Sequence, residues 1–315
     1  DFYRGDALNL RNRVTRVLPA WSASVPGYAY VLGMRAFGLE ECNQYDEAER
    51  AGRQAVALSG DDCWGVHAVA HVLEMQGRVA EGLAWYGETR AAWAGADNGF
   101  AYHNHWHVAL FHLDGGDLGK VLEIYDARFG AGAETALMRV DATALLWRLK
   151  LEGANVAARF APVADAWEAA LAGEAGFYAF NDFHAALALA AAGRRDALRQ
   201  LRENLAQASG ERGGNAEMTR AVGSGACEAA IAYCEGRHAD AVHHLLEVRD
   251  RAQRFGGSHA QRDLLSLTLI DAAWRAGEAR LAQHVLAERL AQKPGGRWGA
   301  RLQARIAGGA LPRAA

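Results

Sequence analysis

The residues best placed to do chemistry sit in two short windows. His67, His71 and Glu74 follow an i, i+4, i+7 spacing, so a helix would present all three on one face. His103 and His107, with Asn104 beside the first, repeat the i, i+4 pair 36 residues later. Six of the twelve histidines fall between His67 and His112. Imidazoles at this spacing, with a carboxylate one turn on, are suited to a divalent metal, with His67, His71 and His107 as its candidate ligands. They are equally suited to a polar or anionic ligand, or to hydrogen bonding inside a helical core beside Trp64, Trp85, Trp93 and Trp106. The central glutamate of a zinc-protease HExxH motif is missing.

Further polar groups recur along the chain: Asp141 and Arg148, then Asn181, Asp182 and His184, then Arg220, and finally Ser258, His259, Gln261, Arg262 and Asp263. Ser258 and Gln261 fit a capping box at the start of a helix. Arg262 and Asp263 read either as an ion pair tying the last repeat to its neighbour or as ligand contacts, since an arginine in a groove suits a carboxylate or phosphate. Asn181 and Asp182 suit capping or interhelix bonding better than catalysis. His238, His243, His244 and His284, with Glu81, Glu88 and Glu123, fall on second helices and read as back-surface or packing residues. There is no Gly-x-Ser-x-Gly elbow, no phosphate loop and no dinucleotide fingerprint.

The elements that must position these residues are helices in repeated pairs. Small-turn residues recur at Asn43, Gly77, Gly116, Gly153, Gly193, Gly236 and Gly277, spaced 34 to 43 residues apart, the period of a stacked-hairpin solenoid. The second helix of most units opens on a small residue (Ala48, Gly82, Ala197, Ala241, Ala282) and carries larger ones further on (Tyr125, Leu201, Leu245, Leu286). The expected fold is all-α: an α/α superhelix, a tetratricopeptide-like solenoid of about seven hairpins over 28–295. Residues 1–27 form a leading helix bounded by Pro19 and Pro26. Residues 296–315 form a weak helix and a disordered tail. Two weak points are expected inside the array: Pro162 near the start of one second helix, and a loop over 205–217.

Composition narrows the class. Half the residues are apolar, prolines number five and clear alternating β-branched runs are missing, which reads as helical. A net charge of −3 argues against a nucleic-acid binder on global electrostatics. No long charge-free apolar run suggests a membrane span, and no signal peptide is visible. The four cysteines form no CxxC pair and no disulfide framework, so a reducing, cytoplasmic setting is the simplest expectation.

The runs FGLEECNQYDEAE, WGVHAVAHVLEMQGRVAEGLAW, HNHWHVALFHLDGGD, LLWRLKLEG, FNDFH and GGSHAQRD, in this order, resemble the tetratricopeptide repeat protein 38 family over about residues 20 to 295. The resemblance implies a helical repeat protein of the cytosol and supplies no catalytic residue list. Members are usually longer at the N-terminus, so leading helices are expected to be missing here. In such a superhelix the first helix of each hairpin lines the concave face. The expectation is therefore a binding protein whose histidine-rich groove holds a peptide or small anionic ligand on His67, His71, Glu74, His103, Asn104, His107, Asn181, Asp182, His184, His259, Arg262 and Asp263, with no cofactor. Two alternatives stand beside it: an enzyme of unassigned chemistry, with a divalent metal and a hydrolytic reaction in the same groove, and a scaffold in which the histidines only pack. A superhelix that closes over a buried pocket favours the enzyme or a small ligand. One that stays open favours a peptide.

Overall fold

The computed structural model describes residues 1–95, 97–130 and 133–308. Among them every regular element is helical. Helix α1 (Ala7–Val17) leads. Hairpins follow in chain order: α2 (Tyr28–Glu40) with α3 (Tyr45–Leu58), and α4 (Cys63–Met75) with α5 (Val79–Glu88). After the short α6 (Arg90–Trp93), α7 (Ala101–Gly115) pairs with α8 (Leu118–Arg128), α9 (Ala136–Leu151) with α10 (Ala157–Glu174), and α11 (Ala179–Ala191) with α12 (Arg195–Gly210). Then α13 (Gly214–Met218) and a π-helical turn, Thr219–Gly223, lead into α14 (Ser224–Cys234), which pairs with α15 (His238–Val248). Finally α16 (His259–Arg275) pairs with α17 (Ala279–Gln292), and α18 (Arg297–Ala307) follows. No helix among the described residues is long and apolar enough to cross a membrane.

The seven turn residues read from the sequence all take positive φ, from 60° at Asn43 to 89° at Gly116. Asn43 is the one non-glycine residue to do so among those described, and Asn tolerates this region better than other side chains. The two helices of each hairpin differ in how they are buried. α3 buries Ala48, Ala51, Gly52 and Ala55, one stripe at i, i+3, i+4, i+7. α4 buries every residue from Gly65 to Met75, because helices cover it on all sides. Second helices are thus amphipathic and first helices are sandwiched, as in a two-layer superhelix.

The superhelix closes on itself. The last first helix, α16, packs on α4 and α9 across the concave side, and α18 packs on α7. Asp114, at the end of α7, accepts the Arg297 and Trp298 backbone N–H groups at 3.1 and 3.0 Å and so caps α18 across the ring. The Trp298 indole donates to Glu152, and Lys293 meets Glu74 at 3.0 Å. The Gly77 turn lies directly against Gly295 and Gly296, so close that a Cβ on Gly77 would sit 2.1 Å from the Gly295 carbonyl carbon.

Three expectations are corrected. Residues 205–217 are not mainly loop: α12 runs on to Gly210, with Leu205 buried as an anchor, and α13 begins at Gly214. Arg220 holds the short link by donating to the Ser209 and Glu211 carbonyls. Pro162 lies inside α10 near its start and does not break it, while Phe160, Val163, Ala164, Trp167 and Leu171 pin that helix to the core. The weak final helix is a packed one, since Trp298, Leu302 and Ile306 of α18 are buried. The expected disordered tail at 309–315 lies outside the described residues.

Gly77 and Gly153 share the same backbone region but differ in surroundings, since nothing lies within 4 Å of a Cβ at Gly153. Gly153→Ala should cost about 1–2 kcal/mol for left-handed geometry alone. Gly77→Ala should cost roughly 2 kcal/mol more, because backbone must move apart at the closure. Equal losses in urea unfolding would show that the closure is not tight there.

Candidate functional site

The centre of the ring is polar. His67 and His71 from α4 meet His103 and His107 from α7, and all four are nearly or completely buried. One nitrogen from each lies within 4.8 Å of the others. His67 Nε2 and His71 Nε2 are 2.9 Å apart. The i, i+4 spacing puts each pair on one helix face, and the α4–α7 packing brings the two faces together. Phe37, Trp64, Phe100 and Trp106 wall the cluster, with Trp106 stacked on the His103 ring.

Two of the outer nitrogens are held by carboxylates. His103 Nδ1 lies 2.8 Å from Asp141 Oδ2 of α9, and His107 Nδ1 lies 3.0 Å from Glu74 Oε2. His71 Nδ1 is 3.6 Å from Glu40 Oε2 at the end of α2. With Nδ1 so occupied, Nε2 of His103 and His107 is the atom left to a ligand. A carboxylate on the far nitrogen of an imidazole fixes the ring's orientation and raises its basicity, the arrangement that surrounds metal-bound histidines.

Electrostatics favour neutral rings at His67, His71 and His107. Burial holds His67 and His107 well below the usual histidine pKa, helped by the neighbouring imidazoles. Burial lowers His71 to about 4, against the pull of Glu41 and Glu74. His67, His71 and His107 are therefore uncharged at neutral pH, the protonation state from which metal ligation starts. Burial also raises Asp141, opposed by His103, and raises Glu40 well above the carboxylate range, with Glu41 adding to the effect. Burial works upward on Glu41 too, but Arg262, His259 and His71 together outweigh it and the net shift is downward. Several buried atoms have no partner within the protein: His107 Nε2, His67 Nδ1, His71 Nδ1, both Glu40 oxygens and Asp141 Oδ1. Orphans of this kind are rare in folded proteins unless another species meets them.

A half-open cavity of about 760 Å³ adjoins this centre, between the N-terminal hairpin and the closing segment. Its wall includes Glu41, Tyr45, Met75, Arg262, Arg289 and Lys293. Two of these lead inward: Lys293 bonds Glu74, which bonds His107, and Glu41 neighbours Glu40.

The structure separates the candidate residues into groups. His67, His71, Glu74, His103 and His107 come together at the centre. His259 and Arg262 meet Glu41 at the cavity, where the His259 N–H donates to Glu41 at 3.0 Å and Arg262 lies 3.3 Å from it. The expected Arg262–Asp263 pair does not form, because adjacent residues point to different helix faces. Asp263 instead takes two 2.7 Å bonds from Arg289. Asn104 turns away from the histidines to accept from the Tyr86 hydroxyl at 3.0 Å, tying α7 to α5. His184 donates to the Phe180 carbonyl at 2.8 Å and packs between Phe180 and Phe183. Asp182 accepts the Gly176 N–H at 3.0 Å, and the Asn181 N–H closes a turn on Tyr178. These three build the start of α11 and take no part in the four-imidazole cluster. Ser258 and Gln261 form the expected capping box. The open, histidine-lined groove is not what the chain builds, because α16 fills the concave side and buries its polar face.

Glu40, Glu41 and Lys293 were missed as site residues. Glu40 and Glu74 both precede their turn residue by three positions, so aligning the repeats points to it. Lys293 carries no such signal, because only closure brings it to Glu74. No protein-family model matches the chain.

Burial lifts Asp182 to about 7 against an ordinary 3.8. The folded state thus binds this proton more tightly than the unfolded chain, and stability falls as pH rises from about 4 to about 7. The stability difference between Asp182→Asn and the parent should grow in the variant's favour across that window and level off above it. A constant difference from pH 4 to 8 would show that Asp182 is not proton-bound in the fold.

Proposed function

We propose that this protein is a metal-binding helical repeat protein, with one divalent transition-metal ion held at the centre of the closed superhelix by His67, His71, His103 and His107. The observation that carries the reading is the convergence of four buried imidazoles, two of whose outer nitrogens are held by Asp141 and Glu74. Four nitrogens around a tetrahedral ion stand about 3.4 Å apart. The present spread, within 4.8 Å, needs only a small inward turn of the rings. An all-imidazole set suits zinc, ferrous iron, cobalt, nickel or copper and not magnesium or calcium. The buried carboxylates supply the opposite charge that an ion away from water requires.

A peptide in an open groove finds less support, because the concave side is filled. A small ligand keeps its support. The adjoining cavity is of metabolite size, and Arg262, Arg289 and Lys293 on its wall suit an acidic group. The reading is thus a metal centre with a small-molecule cavity beside it, the setting of a metal-dependent enzyme. The resemblance to the tetratricopeptide repeat protein 38 family belongs to this proposal. The blocks that carry it hold Glu40, Glu41, His67, His71, Glu74, His103, His107 and Arg262.

Elemental analysis of protein purified without chelator tests the reading. About one transition-metal ion per chain is expected, falling below about 0.1 in His71→Ala and His107→Ala while helical content stays as in the parent. Metal-free parent protein that also fails to take up zinc, cobalt or ferrous iron after dialysis would leave the cluster as packing.

A further inference from the structure

The metal reading leaves one group of atoms unused. Glu40 is fully buried, and neither of its oxygens has a hydrogen-bond partner. His71 Nδ1, facing it at 3.6 Å, has none either. Glu41 follows Glu40 in sequence, and one atom each from Glu40, Glu41 and His71 lie within 4.8 Å of one another. A carboxylate without a partner in a dry interior is held by a proton or by a cation.

We propose that Glu40, Glu41 and His71 Nδ1 form a second cation position, next to the four-histidine centre and sharing His71 with it, so that with both ions bound His71 bridges them as an imidazolate, its remaining ring proton having passed to solvent. Two carboxylate oxygens and one imidazole nitrogen suit manganese, a harder ion than an all-imidazole set prefers. Three protein ligands leave coordination places open. Glu41 lines the cavity, so the remaining places face the side from which water or a small acidic molecule would come. Arg262, 3.3 Å from Glu41, offers that acidic group a second anchor. The two positions divide the work: the inner ion is enclosed by protein ligands, and the outer one meets the ligand in the cavity.

This inference rests on the four-histidine reading only for the shared histidine, and the two are separated by experiment. Metal-stripped protein is prepared in two forms, without metal and with one equivalent of zinc, and each is titrated with Mn2+. Bound ion is followed by loss of the free Mn2+ electron paramagnetic resonance signal. The zinc-loaded protein is expected to bind about one Mn2+ per chain, at least tenfold more weakly in Glu40→Gln, with zinc content unchanged in that variant. Glu40→Gln keeps the side chain's shape, and its fold is checked by circular dichroism. No Mn2+ uptake by zinc-loaded protein, or uptake insensitive to Glu40→Gln, overturns the second position while the four-histidine centre stands. Failure to hold zinc, with Glu40-dependent Mn2+ uptake by the stripped protein, overturns the four-histidine centre and keeps the second position.

Discussion

Glu74 is the residue on which the rest of the structure depends. One oxygen meets His107 at 3.0 Å and the other meets Lys293 at 3.0 Å, all three groups being buried. It therefore joins the histidine centre to the segment that closes the ring. Breaking a buried pair from one side costs about 3–5 kcal/mol, because the charge left behind has no water. That cost opposes any opened form in which Lys293 leaves while Glu74 stays enclosed. Asp114 repeats the logic nearby, with a carboxylate at the end of a first helix capping a helix that starts 183 residues later. Closure here is a polar event as much as an apolar one.

The same constraint explains why the concave side is unlike an open peptide groove. A superhelix that exposes histidines, carboxylates and arginines to solvent can bind and release a chain freely. Once α16 covers that face, every polar group on it needs a partner inside the protein. Most have found one: Arg148 donates to the Ala144 and Ala260 carbonyls, the Trp147 indole donates to Thr268, and Asp263 takes Arg289. Of the 17 buried side-chain atoms left without a partner among the described residues, six belong to His67, His71, His107, Glu40 and Asp141, and the other eleven are spread over as many residues, His184 and Asp182 among them. Those six sit together at the ring's centre, where four buried imidazoles converge.

Much of this was legible in the sequence. The turn residues follow a repeat, and their positive φ values follow from glycine's and asparagine's freedom, so the hairpins could be read one by one. The histidine pairs were legible because i, i+4 spacing and repeat stacking are local rules. Glu40 hid in an apolar run, though its place relative to Asn43 matches that of Glu74 relative to Gly77. Lys293, Arg289 and the filling of the groove by α16 were not legible, because they depend on how the ends of the array meet. The Arg262–Asp263 pairing failed for the same reason: their true partners, Glu41 and Arg289, sit on other helices. The stretch 205–217 misled because its Gly and Ser residues suggest a loop, while buried Leu205 and Ala216 hold helices on either side of a short link.

The most direct test of the central claim is the coordination shell of zinc added at one equivalent to metal-stripped protein, read by X-ray absorption at the zinc edge. A zinc ion at the ring's centre gives four nitrogen neighbours at about 2.0–2.1 Å with the outer-ring scattering of imidazoles, lost in His67→Ala. An oxygen-rich shell with one imidazole or none, unchanged in that variant, would place zinc at the surface, near exposed histidines such as His243 and His284. It would contradict a metal centre inside the ring.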